Sequence, residues 1–303
     1  MKNLVLGVSL IGALTLTIVS LSTPAFAHQH GEKSSITVSQ VSASIYLLSG
    51  KGGNIGASIG AEGTFLIDDK FAENSTDILS ELKKLGSAAP KFVLNTHWHP
   101  DHTGGNENLS AAGSIIVAHA NVREHLQQDN FIAAFSNSVK ALPKSALPLV
   151  TFTKDIHFHM NDNNIKITHI ANAHTNGDSV AFFEKENVLH TGDLFFNGFY
   201  PFIDIHRGGS VKGMLNAADT LLAMINDDTK IIPGHGPLAS KADLIAFRDM
   251  LATAYLNLKS QKAMDKSLAE VLKAKPLKAL DKQWSKGPFS TDRWIEIVYA
   301  GLD

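Results

Sequence analysis

The chain predicts an α/β protein built as a four-layer αβ/βα sandwich, with two sheets packed face to face and helices over both outer faces. Two observations point there. Short β-branched runs bounded by turn residues recur along the 303 residues and alternate with longer helical patterns. Side chains of metal-ligand type fall directly after several of the strand-like runs, so one edge of a layered sheet would gather them.

In chain order, strands are expected over residues 36–41, 44–48, 56–60, 64–68, 92–95, 114–118, 165–170, 179–183 and 231–233, with a further apolar strand-like stretch at 188–190. Their short length and β-branched content decide for strand over helix. Helical patterns cover 75–85, with Ser75 as N-cap and Gly86 as stop, then 211–225 and 241–264. Residues 267–303 read as a helix, a break at Pro276, a polar stretch and a helix over 291–301, packed against the sandwich. Pro143, Pro148 and small residues argue against a long helix within 131–150, which reads as a flap or cover.

The most informative run is His97-Trp-His-Pro-Asp-His102. Three imidazoles and a carboxylate in six residues can hardly avoid surrounding one point. The run follows the apolar stretch Lys91-Phe-Val-Leu-Asn-Thr96 and leads into Thr103-Gly-Gly-Asn106, where a strand ends and the chain turns toward a helix. Neutral imidazoles and carboxylates are the usual zinc donors, and an N/O set with room for water is of the catalytic kind. Four donors exceed one ion's needs, so a second ion or more ligands are expected downstream. Three candidates follow apolar stretches: His174, Asp193 in Thr191-Gly-Asp193, and His235 in Pro233-Gly-His-Gly-Pro237. The intervals of 72, 19 and 42 residues from His102 onward each leave room for a strand and a connection.

The His-x-His-x-Asp-His run, the isolated His174, the Gly-Asp and the Gly-His-Gly resemble the metallo-β-lactamase superfamily. Gly52-Gly-Asn-Ile-Gly56 and the strand Gly63-Thr-Phe-Leu-Ile-Asp68 match its Gly-rich opening, and the resemblance covers roughly residues 37 to 260. It implies the metallo-β-lactamase fold and two zinc ions per chain. His97, His99 and His174 would hold one ion; Asp101, His102 and His235 would hold the other; Asp193 would bridge them. It also implies hydrolysis of a small-molecule substrate, a metal-bound hydroxide attacking a cyclic amide or ester-type carbonyl. Asp101, His97, His99 and His174 would be the catalytic set, with Asp101 orienting the hydroxide.

The departures concern the substrate. The lactamases nearest in spacing carry Cys where this chain has Asp193, and a substrate-gripping Lys soon after; this chain has no Cys, and Leu194-Phe-Phe196 follows the Asp. Its ligand set is more similar to the glyoxalase II thioesterases and related lactonases, whereas the 19 and 42 residue intervals are similar to those of the lactamases. A β-lactam is therefore the first substrate implied, and a lactone or thioester the second. Some iron-binding members catalyse persulfide oxidation with much the same ligands, and the donor types do not tell zinc from iron or manganese.

Residues 1–27 read as a secretory signal peptide: Lys2, an apolar run over 4–21, and the small-x-small ending Ala25-Phe-Ala27. A single domain over 28–303 would then be periplasmic or secreted, without stable membrane insertion after cleavage. The net charge of −2, or −3 without Lys2, excludes nucleic-acid binding by bulk charge.

Other side chains receive plainer readings. His157, His159 and His169 alternate with apolar residues and are expected to face solvent or be hydrogen-bonded, and His119 and His125 to be exposed. His28 and His30 read as part of a tail. Trp98 is structural, and His190 and Thr191 are candidates for supporting Asp193. The segment Phe195-Phe-Asn-Gly-Phe-Tyr-Pro-Phe202 puts five aromatics beside a candidate ligand, either core or pocket wall, with Asn197 or Tyr200 as a candidate donor to a carbonyl oxyanion.

Overall fold

The computed structural model of the chain describes Met1 and residues 35–302. The expected signal peptide and the tail histidines His28 and His30 lie outside the described residues. The chain divides into Met1–Lys33 and a compact unit Ser34–Asp303, and everything below concerns the second.

The first sheet opens with an antiparallel meander: β1 (Thr37–Gln40), β2 (Ile45–Ser49), β3 (Ile55–Gly60) and β4 (Gly63–Ile67). After helix α1 (Ser75–Lys84), β5 (Phe92–Asn95) pairs parallel to β4. Two short helices, α2 (Pro100–Thr103) and α3 (Asn106–Ala111), lead to β6 (Ile115–His119), parallel to β5. Helix α4 (Ala120–Leu126) precedes a separate hairpin of β7 (Asn130–Ile132) and β8 (Asn137–Val139), before β9 (Val150–Phe152) returns to the sheet edge beside β6.

The second sheet runs β10 (Asp155–Met160), β11 (Asn163–His169), β12 (Ser179–Phe183), β13 (Val188–His190) and β14 (Lys230–Ile232). Its pairs are antiparallel except β13 with β14, which are joined by a crossover through α5 (Val211–Met224). Helix α6 (Lys241–Ala263), closed at its start by a Ser240/Asp243 capping box, follows β14. The chain ends in α7 (Leu268–Ala274), α8 (Asp281–Trp284) and α9 (Thr291–Val298).

Alternation along each strand sorts side chains into three apolar clusters, and these define the four layers. Phe65 and Ile67 of β4 and Leu94 of β5 meet Ile165, Ile167, Ala181 and Phe183 between the sheets. On the opposite face of the first sheet, Leu66 and Val93 pack on Ile78 and Leu82 of α1 and Leu109 of α3. The outer face of the second sheet, through Val180, Leu189 and Ile231, packs on Met214 and Leu221 of α5 and Phe247 and Leu251 of α6. The order is therefore helix, sheet, sheet, helix, as the sequence implies.

Several details differ from the expectation. Ser75 is the first residue of α1 with Asn74 at the N-cap, although Gly86 does follow with a left-handed φ of 80°. The expected flap over 131–150 holds the β7–β8 hairpin, and β10 forms where His157 and His159 alternate with apolar residues, both histidines facing solvent as expected. Among the described residues no helix is long and apolar enough to cross a membrane.

Candidate metal centre

The side chains of interest all sit where strands end. Asp68 follows β4, the run His97 to His102 follows β5, His174 lies between β11 and β12, Asp193 follows β13 and His235 follows β14. Within the run, Trp98 is fully buried in the helix-facing core, which fixes the two flanking residues on the other side. His99 is the extended N-cap residue of α2 and Pro100 opens the helix, so one turn brings Asp101 and His102 back beside it. Gly192 makes the turn before Asp193 at φ 50°; a Cβ there would lie 2.6 Å from Thr96 Oγ1, so only glycine fits.

The seven predicted residues converge as two groups. His97, His99, His174 and Asp193 form one, and Asp101, His102 and His235 the other, with the ligand atoms of each within 4.8 Å of one another. Asp193 faces both. Its Oδ2 is 3.7 Å from His97 Nε2 and 3.5 Å from His174 Nε2, while its Oδ1 is 3.1 Å from His102 Nε2 and 3.4 Å from His235 Nε2. Asp101 Oδ2 lies 3.3 Å from His235 Nε2 and 3.6 Å from His102 Nε2.

A surrounding set of acceptors decides which nitrogen of each ring faces inward. His102 Nδ1 donates to Asp68 Oδ2 at 2.7 Å, and His174 Nδ1 to the Phe202 carbonyl at 2.8 Å. His99 is turned the other way: Nε2 donates to Asp204 Oδ2 at 3.2 Å, leaving Nδ1 toward the centre. Thr96 Oγ1 gives its proton to Asp68 Oδ2 at 2.8 Å, so at 3.0 Å it accepts from His97 Nδ1. In these four contacts the outer nitrogen carries the hydrogen and the inner nitrogen faces the centre, the orientation a metal ligand needs. At His102 burial is outweighed by Asp193, Asp101 and Asp68, which raise its pKa well above the ordinary value.

The residues fit a pair of divalent cations. His97 Nε2 is buried with no hydrogen-bond partner, an expensive arrangement that a cation would relieve. Inward nitrogens also face one another, His99 Nδ1 and His174 Nε2 at 2.9 Å and His102 Nε2 and His235 Nε2 at 3.4 Å. A tetrahedral site with bonds of about 2.05 Å has ligand edges of about 3.3 Å. The electrostatics agree. Burial holds His97 well below its ordinary pKa and His174 at about 4, so both are neutral. Burial would lower His235 as well, but Asp193 and Asp101 outweigh it and push His235 up to about 9. Burial alone would raise Asp193, yet His235, His102 and His97 hold it well below the carboxylate range. The paired carboxylates thus demand positive charge between them.

Beside the centre lies a cleft of about 450 Å³, with Phe71, Ile132, Phe135, Phe196, Phe199 and Phe202 on its walls. Phe196 stacks on His235 at 5.1 Å, and Phe202 packs on His99 at 5.3 Å. Three of the five aromatics of 195–202 therefore line the cleft, while Phe195 and Tyr200 are core. The oxyanion donor expected from Asn197 or Tyr200 is not borne out: neither lines the cleft, Asn197 bonding the Pro237 carbonyl and Tyr200 stacking on Trp294.

His119 and His125 are buried rather than exposed. His119 stacks on His169 with centroids 3.7 Å apart, and His125 bonds Asn176 Oδ1 at 2.8 Å. His190 and Thr191 support the turn backbone instead of the Asp193 carboxylate, through Gly192 N to His190 Nδ1 and Thr191 Oγ1 to the Gly192 carbonyl. Asp68, Asp178 and Asp204 were not singled out in the sequence. Asp178 accepts from the His174 and Thr175 amides at 2.8 Å, and burial raises its pKa to about 8. Asp68 shares the strand-then-acid pattern that marks Asp193 and could have been found by it; Asp204 carries no such signal.

A family model described as the metallo-beta-lactamase superfamily matches residues 59–235. A hydroxyacylglutathione hydrolase from Polaromonas sp. is 31% identical over 167 residues, covering 52% of this chain and 55% of that protein. The match thus spans about half the length of this curated relative. Among solved structures, the DIM-1 metallo-beta-lactamase superposes with a TM-score of 0.59 at 17% identity, covering 72% of this chain and 98% of that one. The sec-alkylsulfatase Pisa1 from Pseudomonas sp. reaches 0.65 at 18% identity, covering 86% and 50%. These likenesses agree with the layered fold, and the matched segment contains all seven converging His and Asp residues: the chain belongs to the metallo-beta-lactamase superfamily.

Proposed function

We propose that the protein is a dinuclear zinc hydrolase that cleaves an ester-type carbonyl compound: a thioester, ester or lactone. The observation that carries this reading is Asp193, whose two oxygens face the two halves of the centre at 3.1 to 3.7 Å. His97, His99, His174 and Asp193 would hold one zinc, and Asp101, His102, His235 and the second Asp193 oxygen the other. Two zinc ions there would supply Lewis acidity, polarising the carbonyl and lowering the pKa of a water.

The protein's own contribution is orientation. Asp68, Asp204, Thr96 and the Phe202 carbonyl fix the four imidazoles, and the aromatic cleft walls exclude water around the scissile bond. Asp101 is partly exposed on the cleft side, and His102 and His235 offset its burial and keep it ionised, so it can accept a proton or hydrogen bond from the attacking water.

The carboxylate at position 193 and the hydroxyacylglutathione hydrolase relative favour thioester and ester substrates over the β-lactam that the spacing first implies. Export belongs to the same reading, supported by the apolar run over 4–21 and its Ala25-Phe-Ala27 ending. The test is metal analysis of purified protein together with hydrolysis of p-nitrophenyl acetate, S-lactoylglutathione and a chromogenic cephalosporin, before and after chelation. Two zinc ions per chain with chelator-sensitive turnover of an ester or thioester supports the reading. Iron in place of zinc, with no hydrolysis of any of the three, overturns it in favour of persulfide chemistry.

A further inference from the structure

Resting on the hydrolase reading, the wall chemistry of the cleft narrows the substrate. Apart from the seven converging residues, Lys51 is the one ionisable side chain among the described cleft-lining residues. It lies at the exposed mouth of the cleft, away from the buried rings. Its side chain is 72% exposed, its ammonium pairs with Glu73 at 3.2 Å, and it lies 5.2 Å from the Phe71 ring centroid. The remaining wall is aromatic and aliphatic, and Asn137 is its neutral polar member.

The rings come from three separate parts of the chain. Phe135 on the β7–β8 hairpin meets Phe202 at 5.0 Å and Phe289 at 5.4 Å, so the flap is joined to the ligand-bearing loop and to the C-terminal segment through apolar faces. Phe135 is itself 50% exposed, with room to cover a bound chain.

We propose that the cleft selects an uncharged ester, thioester or lactone with an apolar acyl chain or ring, and discriminates against substrates that carry carboxylates. A substrate carboxylate held along these rings, away from the His and Asp cluster, would have no cationic side chain beside it, which is costly, whereas each methylene buried there is favourable. In the reaction the oxygen of water bonds the acyl carbon and the acyl–oxygen or acyl–sulfur bond breaks. One water proton goes to the departing alcohol or thiol, and the other is released as the acid ionises.

The test is a series of p-nitrophenyl esters, acetate, butyrate, hexanoate and octanoate, run with the zinc-loaded full chain beside S-lactoylglutathione and a chromogenic cephalosporin. The expected result is a rise in kcat/KM of up to about fourfold per methylene until the cleft is filled, the rate equivalent of about 0.8 kcal/mol each. The two carboxylate-bearing substrates are expected to fall at least about tenfold below hexanoate, the cost of an unpaired buried charge. Phe135→Ala and, separately, Phe199→Ala should lower hexanoate turnover at least about fivefold more than acetate turnover, since both remove apolar wall. Retained zinc content and melting temperature would exclude misfolding in either variant. A flat ester series, or S-lactoylglutathione preferred over every ester, overturns the proposal and leaves the hydrolase reading standing. No turnover of any substrate by protein holding two zinc ions overturns both.

Discussion

Asp68 holds the ring of His102: its Oδ2 accepts the Nδ1 hydrogen at 2.7 Å, while Oδ1 accepts the Thr96 amide at 2.7 Å. One buried carboxylate, itself at a left-handed φ of 63°, therefore ties the strand β4 to the β5 loop and orients a candidate metal ligand. Asp68→Asn exchanges an acceptor-only group for one that also donates. It should weaken metal binding at the Asp101, His102 and His235 group by about 10- to 100-fold, the usual effect of losing such a partner. Metal content after gel filtration should fall toward one zinc per chain; two retained zinc ions would show that the contact does not tune the site.

Gly234 tests the centre from its other side. A Cβ at this position would lie 2.1 Å from Asp193 Oδ1, so Gly234→Ala must displace the Asp193 carboxylate or the β14 loop. Overpacking of this kind costs about 1–3 kcal/mol. Expected are a lower denaturation midpoint and loss of metal from both groups, measured on the same sample. Normal zinc content and turnover would show that the loop yields without moving Asp193.

Asp101 is the more open of the two cleft-lining carboxylates of the centre, its side chain 22% exposed against 5% for Asp193. Asp101→Ala should lower kcat by at least about 100-fold, the scale of a lost general acid–base group. Metal bound by the His97, His99, His174 and Asp193 group should remain. Steady-state kinetics with metal analysis read both quantities, and unchanged kcat would remove Asp101 from the mechanism.

The stacked pair of His119 and His169 sets a pH dependence of stability outside the centre. Burial, with His169 beside it, lowers His119 to about 4, and burial also lowers His169. The unfolded chain binds protons near pH 6.5 while the folded pair does not, so stability is full above about pH 6.5 and declines as pH falls toward 4. His119→Asn keeps an acceptor for the Asn121 amide at the start of α4 but removes the stack and one titration. Urea midpoints between pH 7 and 5 should drop less in this variant than in the wild type. An equal drop in both would assign the acid sensitivity to other groups.

The seven converging residues were legible because each follows an apolar strand, and a strand end is a place that sequence marks well. The acceptors around them were mostly not legible. Asp204 meets His99 across 105 residues, through a loop whose local pattern is merely apolar with one acid. Exposure misled in a similar way for His119 and His125, which end β6 and lie in α4 and are covered by neighbours that only the fold supplies. Tyr200 has the chemistry of an oxyanion donor, yet its ring is held against Trp294 from the far end of the chain. Local composition reports the elements; it does not report which distant surface an element is pressed against.

The C-terminal segment also sets an order of events in synthesis. The Tyr200 amide bonds the Trp284 carbonyl at 2.9 Å and Trp294 Nε1 donates to the Pro201 carbonyl at 2.7 Å, so the wall at 199–202 is braced by residues made some ninety positions later. All seven candidate ligands precede residue 236. A chain emerging from the ribosome thus presents its complete donor set before the part that shapes the pocket exists, and closing that long loop carries an entropic cost. Metal capture can precede a finished pocket, and a chain halted in translation after His235 would be a metal chelator before it is a catalyst.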